Sequence, residues 1–197
     1  MRNSREYGRR LALPVILILA LLVIGLDRMT KFMAVDRLGD GSVYTVIPNI
    51  LDFMLVYNMG AAWGILEGAR FIFVIISVIA TLALLAYAIW RKRHTLLSLL
   101  AIGLLIGGAN GNAIDRALSG EVVDFIHLLF INFPLFNVAD CAIACGVFLL
   151  FVLFFMESRA DSRDRRLRAL HSRQSDEREL IEIKQPLDGS DTPGEST

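Results

Sequence analysis

Residues 71–90 read FIFVIISVIATLALLAYAIW, a run of twenty residues without a charge. A helix rises about 1.5 Å per residue, so about twenty apolar residues cross the ~30 Å hydrocarbon core of a bilayer. The run lacks the inside–outside alternation of a barrel strand, and in lipid a helix pairs its own backbone groups within the segment. Comparable runs cover 11–26, 96–114 and 139–156. The expected fold is an all-α polytopic membrane protein, a four-transmembrane-helix bundle.

Composition agrees with this and removes other classes. The chain has 197 residues, 55% of them hydrophobic, and its 20 basic residues balance 20 acidic ones. With no net field to gather polyanions, a nucleic-acid partner is not expected. The charges crowd between and after the apolar runs. Arg2, Arg5, Arg9 and Arg10 precede the first, Arg91, Lys92 and Arg93 separate the second and third, and Arg159, Arg163, Arg165, Arg166 and Arg168 follow the fourth. By the positive-inside rule both termini and the middle loop are cytoplasmic, and the other two loops face outward. Arginines before an apolar run also suit a cleaved signal, but no small-x-small site follows Gly25 and the chain continues into Asp27, Arg28 and Lys31, so an uncleaved span is expected.

Two parts are expected, a four-span membrane domain over 1–156 and a charged cytoplasmic tail over 157–197. Asp161 with Arg165 and Asp164 with Arg168 have helical pair spacing, whereas 185–197 carries Pro, Gly, Ser and acids with almost nothing to bury and reads as disordered. Cys141 and Cys145, four apart, read as small packing residues of the fourth span, neither disulfide-bonded nor nucleophilic.

Between the first two spans the pattern changes. Residues 43–47 and 50–57 are β-type runs broken at Pro48 and Asn49, which predicts a small extracytoplasmic β-sheet element on the membrane surface or over the helix ends. Asn58-Met59-Gly60-Ala61-Ala62-Trp63-Gly64 follows, an amide among small residues that let another backbone approach, with Trp63 placed to anchor in the interface. Gly103, Gly107 and Gly111, spaced by four, give the third span a face for close helix contact. Asp27 and Lys31 share a helical face if the first helix continues, which suits either an interfacial ion pair or a clamp near a site.

Asn112, Asp115, Arg116, Asp124, Asn137 and Asp140 cluster where the third and fourth spans reach the outer water. A short loop joins these spans, so Asp124 and Asp140 are expected within reach of each other. Ionisable residues in such a place are functional-site candidates by default. Two carboxylates sharing a site do not both ionise cheaply, so one keeps a proton. Such a pair hydrolyses a peptide without metal or cofactor: one member takes a proton from water while the other polarises the carbonyl and serves the leaving amine. Asn112 and Asn137 are placed to hold the substrate backbone, and Arg116 paired with Asp115 to brace the third span. Helix capping is the competing reading, since Asn137 with Asp140 three residues on suits a helix N-terminus. A proton-coupled transporter using the carboxylates as a relay is the alternative function, although the acids fall at helix ends and no inverted repeat relates the halves. A non-catalytic membrane scaffold is a third. His94, His127 and His171 are scattered, and neither a His-Glu-x-x-His nor a Gly-x-Ser-x-Gly motif occurs.

Five blocks taken together resemble the lipoprotein signal peptidase family, the bacterial signal peptidase II. They are Asp27 with Lys31, Asn58 to Ala62, Gly107 to Arg116, Val122 to Phe125, and Phe136 to Asp140. The resemblance covers about 11–156 and implies a membrane aspartyl endopeptidase of the bacterial inner membrane. Such an enzyme cuts a prolipoprotein signal peptide before its diacylglyceryl-modified cysteine, with the active site on the extracytoplasmic side. It implies Asp124 and Asp140 as catalytic dyad, Asn58, Asn112, Arg116 and Asn137 lining the site, and Asp27, Lys31 and Asp115 as its polar support. Implied partners are the lipid-modified prolipoprotein, membrane lipids and a globomycin-type inhibitor, and the expected state is a monomer. Trp63 stands where the family often has phenylalanine.

Overall fold

A computed structural model of the chain describes residues 7–60, 68–91 and 93–184. Four helices dominate: α1 (Arg9–Leu38), α2 (Arg70–Trp90), α3 (Leu96–Leu118) and α4 (Val138–Lys184). Each contains a segment long and apolar enough to span a bilayer, Leu11–Leu38, Arg70–Trp90, Leu96–Leu118 and Val138–Ala160. Leu21, Leu22, Ile79, Leu82, Phe148 and Phe151 stand exposed on these helices. On a soluble protein such a surface would aggregate, whereas here it is what lipid contacts.

The chain divides into two compact units, Met1–Leu153 and Phe154–Thr197. Unit one holds the bundle and the sheet; in unit two the described backbone is the later part of α4. The Asp161–Arg165 and Asp164–Arg168 pairings, the 185–197 tail, Arg2, Arg5, Lys92 and the stretch 61–64 with Trp63 lie outside the described residues or side chains.

Helix α1 runs well beyond the apolar stretch expected at 11–26. Its buried residues Ala12, Ile16, Ala20, Asp27, Lys31, Ala34 and Leu38 keep one helical stripe. The stripe changes chemistry from aliphatic to charged and back, so apolar periodicity stops early although the helix does not. Central α3 is the most buried helix and packs on α1 through the glycine stripe. A Cβ on Gly103 would lie 2.7 Å from Leu19 Cβ, and one on Gly107 2.6 Å from Val23 Cβ and 2.9 Å from the Ala20 carbonyl oxygen. A Cβ on Gly108 would lie 2.5 Å from the Ala139 carbonyl oxygen, so the same helix also seats α4. These contacts need glycine because the neighbouring chain occupies the space of a side chain.

At one end, β1 (Tyr7–Gly8) pairs antiparallel with β4 (Arg93–His94), tying the start of α1 to the α2–α3 connection. At the other, β2 (Val43–Ile47), β3 (Leu51–Asn58) and β5 (Val122–Leu128) form an antiparallel sheet in the order β2-β3-β5. Asn49 turns β2 into β3 with φ 63°, and Gly120 leads from α3 into β5 with φ 88°, both in the left-handed region. The sequence alone reads β5 as loop. It pairs with residues about seventy positions earlier, Asp124 opposite Val56 and Leu128 opposite Leu51, so no local pattern announces it. Phe53 and Phe125 meet edge to face at 5.8 Å and, with Ala34 and Leu38, seat the sheet on the end of α1.

Candidate active site

Asp124 sits on β5 and Asp140 in the first turn of α4, and Asn137 joins them. The Asn137 side-chain amide donates to Asp124 Oδ1 at 2.7 Å, and its backbone N–H donates to Asp140 Oδ2 at 3.1 Å. Its Oδ1 accepts from the Asp140 backbone N–H at 3.0 Å. Asn137 and Asp140 therefore form a reciprocal capping box at the start of α4, and the amide left over reaches the other aspartate. The cap and the candidate dyad are one construction.

Each carboxylate has a second amide donor. Asn58 Nδ2 donates to Asp124 Oδ2 at 2.8 Å, and Asn58 Oδ1 accepts from Gly60 N at 2.9 Å, which fixes the amide's orientation. Asn112 Nδ2 donates to Asp140 Oδ1 at 2.7 Å. Its Oδ1 faces Lys31 Nζ at 2.8 Å, so the nitrogen must face Asp140. Asn112 and Asn137 were expected to hold the substrate backbone. Both are buried and donate to the aspartates, which orients the carboxylates, and Asn112 also lines the cavity in front of them.

Behind them lies a buried ion cluster. Lys31 Nζ donates to Asn112 Oδ1 at 2.8 Å and forms ion pairs with Asp27 Oδ2 at 2.8 Å and Asp115 Oδ2 at 2.7 Å. Asp115 also pairs with Arg28. Asp27, Lys31 and Asp115 are buried, and the half-exposed Arg28 supplies the second positive charge that balances the two acids. Asp27 Oδ1 accepts from the Ala139 backbone N–H at 2.9 Å, so α1 holds the first turn of α4 directly. The Asp27–Lys31 pair is thus a buried clamp, and the exposed interfacial alternative is excluded.

Arg116 does not pair with Asp115. Neighbours on a helix point about 100° apart, so Asp115 turns to α1 while Arg116 turns to the cavity. There its Nη2 donates to the Gly60 carbonyl at 2.8 Å and its guanidinium covers the Phe73 ring at 4.6 Å. Cys141 and Cys145 are exposed and do not pack in the core, because their face of α4 turns outward. Arg28 and Phe73 have no role in the sequence reading, and Gly60, read there as a small residue, contributes its carbonyl. Arg28 follows Asp27 directly, so it is visible once α1 is known to continue; Phe73 and the Gly60 carbonyl carry no signal of their own.

Asp124 and Asp140 open onto a cavity of about 330 Å³ walled by Phe73, Ile76, Ala80 and Ile143, with Arg116 at its edge. A second space of about 410 Å³, lined by residues including Phe133, Phe136 and Cys141, also reaches Asp140 and Asn58. Apolar walls around a few convergent polar groups are the usual make-up of a ligand site. Burial pushes the Asp124 carboxyl up to about 6, and the Asp140 charge adds to this against the Asn58 and Asn137 hydrogen bonds. One proton is thus kept on the pair toward neutral pH.

The signal peptidase II family, Peptidase_A8, matches residues 19–156. The lipoprotein signal peptidase of Staphylococcus haemolyticus (strain JCSC1435) is 38% identical over 154 residues, covering 77% of this chain and 96% of that protein. That of Bacillus subtilis (strain 168) is 38% identical over 142 residues, covering 71% and 92%. A bacterial membrane enzyme solved by the in meso method at 2.3 Å resolution superposes with a TM-score of 0.67 at 37% identity, covering 73% of this chain and 88% of that one.

Proposed function

Since the chain belongs to the lipoprotein signal peptidase family and removes signal peptides from prolipoproteins, we propose that Asp124 and Asp140 are the aspartyl pair that does so. The observation that carries this reading is Asn137, whose one residue bonds both carboxylates while Asn58 and Asn112 hold their far oxygens. Such bracing leaves each carboxylate a fixed orientation toward the cavity. One member takes a proton from an attacking water as the other, protonated, polarises the scissile carbonyl and then gives its proton to the leaving amine. The pair titrates as a unit, and neither metal nor cofactor enters.

The cut falls before a diacylglyceryl-modified cysteine, and Arg116, Asn58, Asn112 and Asn137 form the site's polar lining, backed by Asp27, Lys31 and Asp115. Residues 1–156 constitute the peptidase and 157–197 a cytoplasmic extension. Both termini face the cytoplasm, the dyad lies at the extracytoplasmic surface of the inner membrane, and the enzyme works as a monomer open to globomycin-type inhibitors. A substrate anchored by its own apolar signal helix reaches such a site by lateral diffusion, which supplies much of the positioning catalysis needs. The test is purified protein incubated with a diacylglyceryl-modified prolipoprotein. Cleavage is expected to vanish in Asp124→Asn and Asp140→Asn with the fold retained, to stop with globomycin, and to withstand chelators. Full activity in either variant overturns the assignment.

A further inference from the structure

Two polar residues inside the spans take no part in the chemistry above. Asn110 on α3 donates through Nδ2 to Thr81 Oγ1 on α2 at 2.8 Å, and the same nitrogen lies 2.7 Å from the Ile106 carbonyl oxygen. A side-chain amide within a membrane span calls for a reason, because hydrocarbon offers it no partner. The place of this bond supplies one. Asn110 follows Ala109 and Thr81 follows Ala80, and both alanines line the cavity in front of Asp124 and Asp140. Ser77, one turn before Thr81, lines it too.

Helix α2 forms the cavity wall with Phe73, Ile76, Ser77 and Ala80, yet Ala88, near its far end, is its buried residue. Much of the rest faces outward, with Ile75, Ile79 and Leu82 all more than half exposed. Apolar contact in lipid gives two helices little preference for one separation, whereas a hydrogen bond between them fixes both distance and rotation.

We propose that the Asn110–Thr81 hydrogen bond is a latch that fixes the α2 wall of the cleavage cavity, making both positioning residues for substrate binding. It rests on the dyad reading of that cavity. Because the latch touches neither carboxylate, losing it loosens the fit of the signal peptide and leaves the chemical step intact.

The test compares Asn110→Leu, Thr81→Val, the double variant and Thr81→Ser in the full-length protein, with KM and kcat measured on a lipid-modified prolipoprotein peptide and unfolding followed in parallel. Each of the first two is expected to raise KM about threefold at unchanged kcat, a factor set by the usual strength of interhelical hydrogen bonds in membranes. The double variant should be no worse than either single one, since both remove the same bond. Thr81→Ser keeps the hydroxyl and should behave as wild type. An unchanged KM, multiplying effects, or a kcat falling in step with stability overturns the latch. If Asn110→Leu does not fold, Thr81→Val against Thr81→Ser decides alone. Full activity of Asp124→Asn or Asp140→Asn would count against the dyad reading, whereas active wild type with indifferent latch variants counts against the latch only.

Discussion

Replacing Asn137 by alanine tests the cap and the dyad in one perturbation. Alanine loses the Oδ1 that accepts from Asp140 N at 3.0 Å and the Nδ2 that donates to Asp124 Oδ1 at 2.7 Å. An N-cap contributes about 1 kcal/mol, and a hydrogen bond to a charged group about 1.5–3 kcal/mol. The expected loss of stability is therefore about 2.5–4 kcal/mol. The amide also favours the ionised form of Asp124, so its removal raises a carboxyl already pushed up to about 6. A change of about 1.4 kcal/mol in that preference is about one pH unit. In the proposed dyad one proton is held in the active form, and the alkaline limb marks its loss. The limb should move up by about one unit while the maximal rate falls, because Asp124 loses its orientation. Rates of prolipoprotein cleavage between pH 4 and 9, with thermal unfolding alongside, read both effects. Asn137→Ser keeps a capping oxygen and should regain about 1 kcal/mol, yet its shorter side chain should not restore the limb. An alkaline limb that stays in place or moves down would refute the coupling of cap to dyad.

Three further outcomes follow from the geometry. Gly107→Ala sets a Cβ against Val23 and the Ala20 carbonyl and should cost about 1–3 kcal/mol by thermal unfolding; Gly25→Ala, with nothing within 4 Å, is the control, and equal behaviour of the two would contradict the close α1–α3 contact. Asp27→Ala leaves buried Lys31 short of one ion-pair partner and Ala139 N unpaired, for an expected loss of about 3–5 kcal/mol; a loss below about 1 kcal/mol would mean the cluster is not a buried clamp. Asp124 binds its proton more tightly folded, at about 6, than at the ordinary 3.8. Its stabilising contribution is complete below about pH 3.8 and lost as pH rises through about 6, a change of about 3 kcal/mol. Relative to Asp124→Asn, the wild-type protein should therefore lose thermal stability between pH 4 and 7; a relative gain would reverse the sign of the argument.

The sequence by itself determined the class, because twenty uncharged residues without barrel-type alternation, such as 71–90, leave the backbone a helix as its solution in lipid. It also determined the glycine face of α3 and the polar cluster of Asn112, Asp115, Arg116, Asp124, Asn137 and Asp140, since an apolar chain keeps such groups for a reason, while Asp27 and Lys31 stayed open between two readings. The continuation of α1 past residue 26 was hidden, because its buried stripe becomes charged where periodicity looks for apolar residues. Strand β5 was hidden because its pairing with β3 is not local.

Only the tertiary structure decided which group faces which. Asp115 and Arg116 are adjacent in the chain and look like a pair, yet helical geometry sends one to Lys31 and the other to Gly60. Asn112 and Asn137 look free to bind substrate, yet the approach of α1, β5 and α4 uses their amides to orient two aspartates. Residue types and their depth follow from local chemistry. Hydrogen-bond partners follow from the meeting of elements far apart in the chain, and it is these that make the carboxylates a pair.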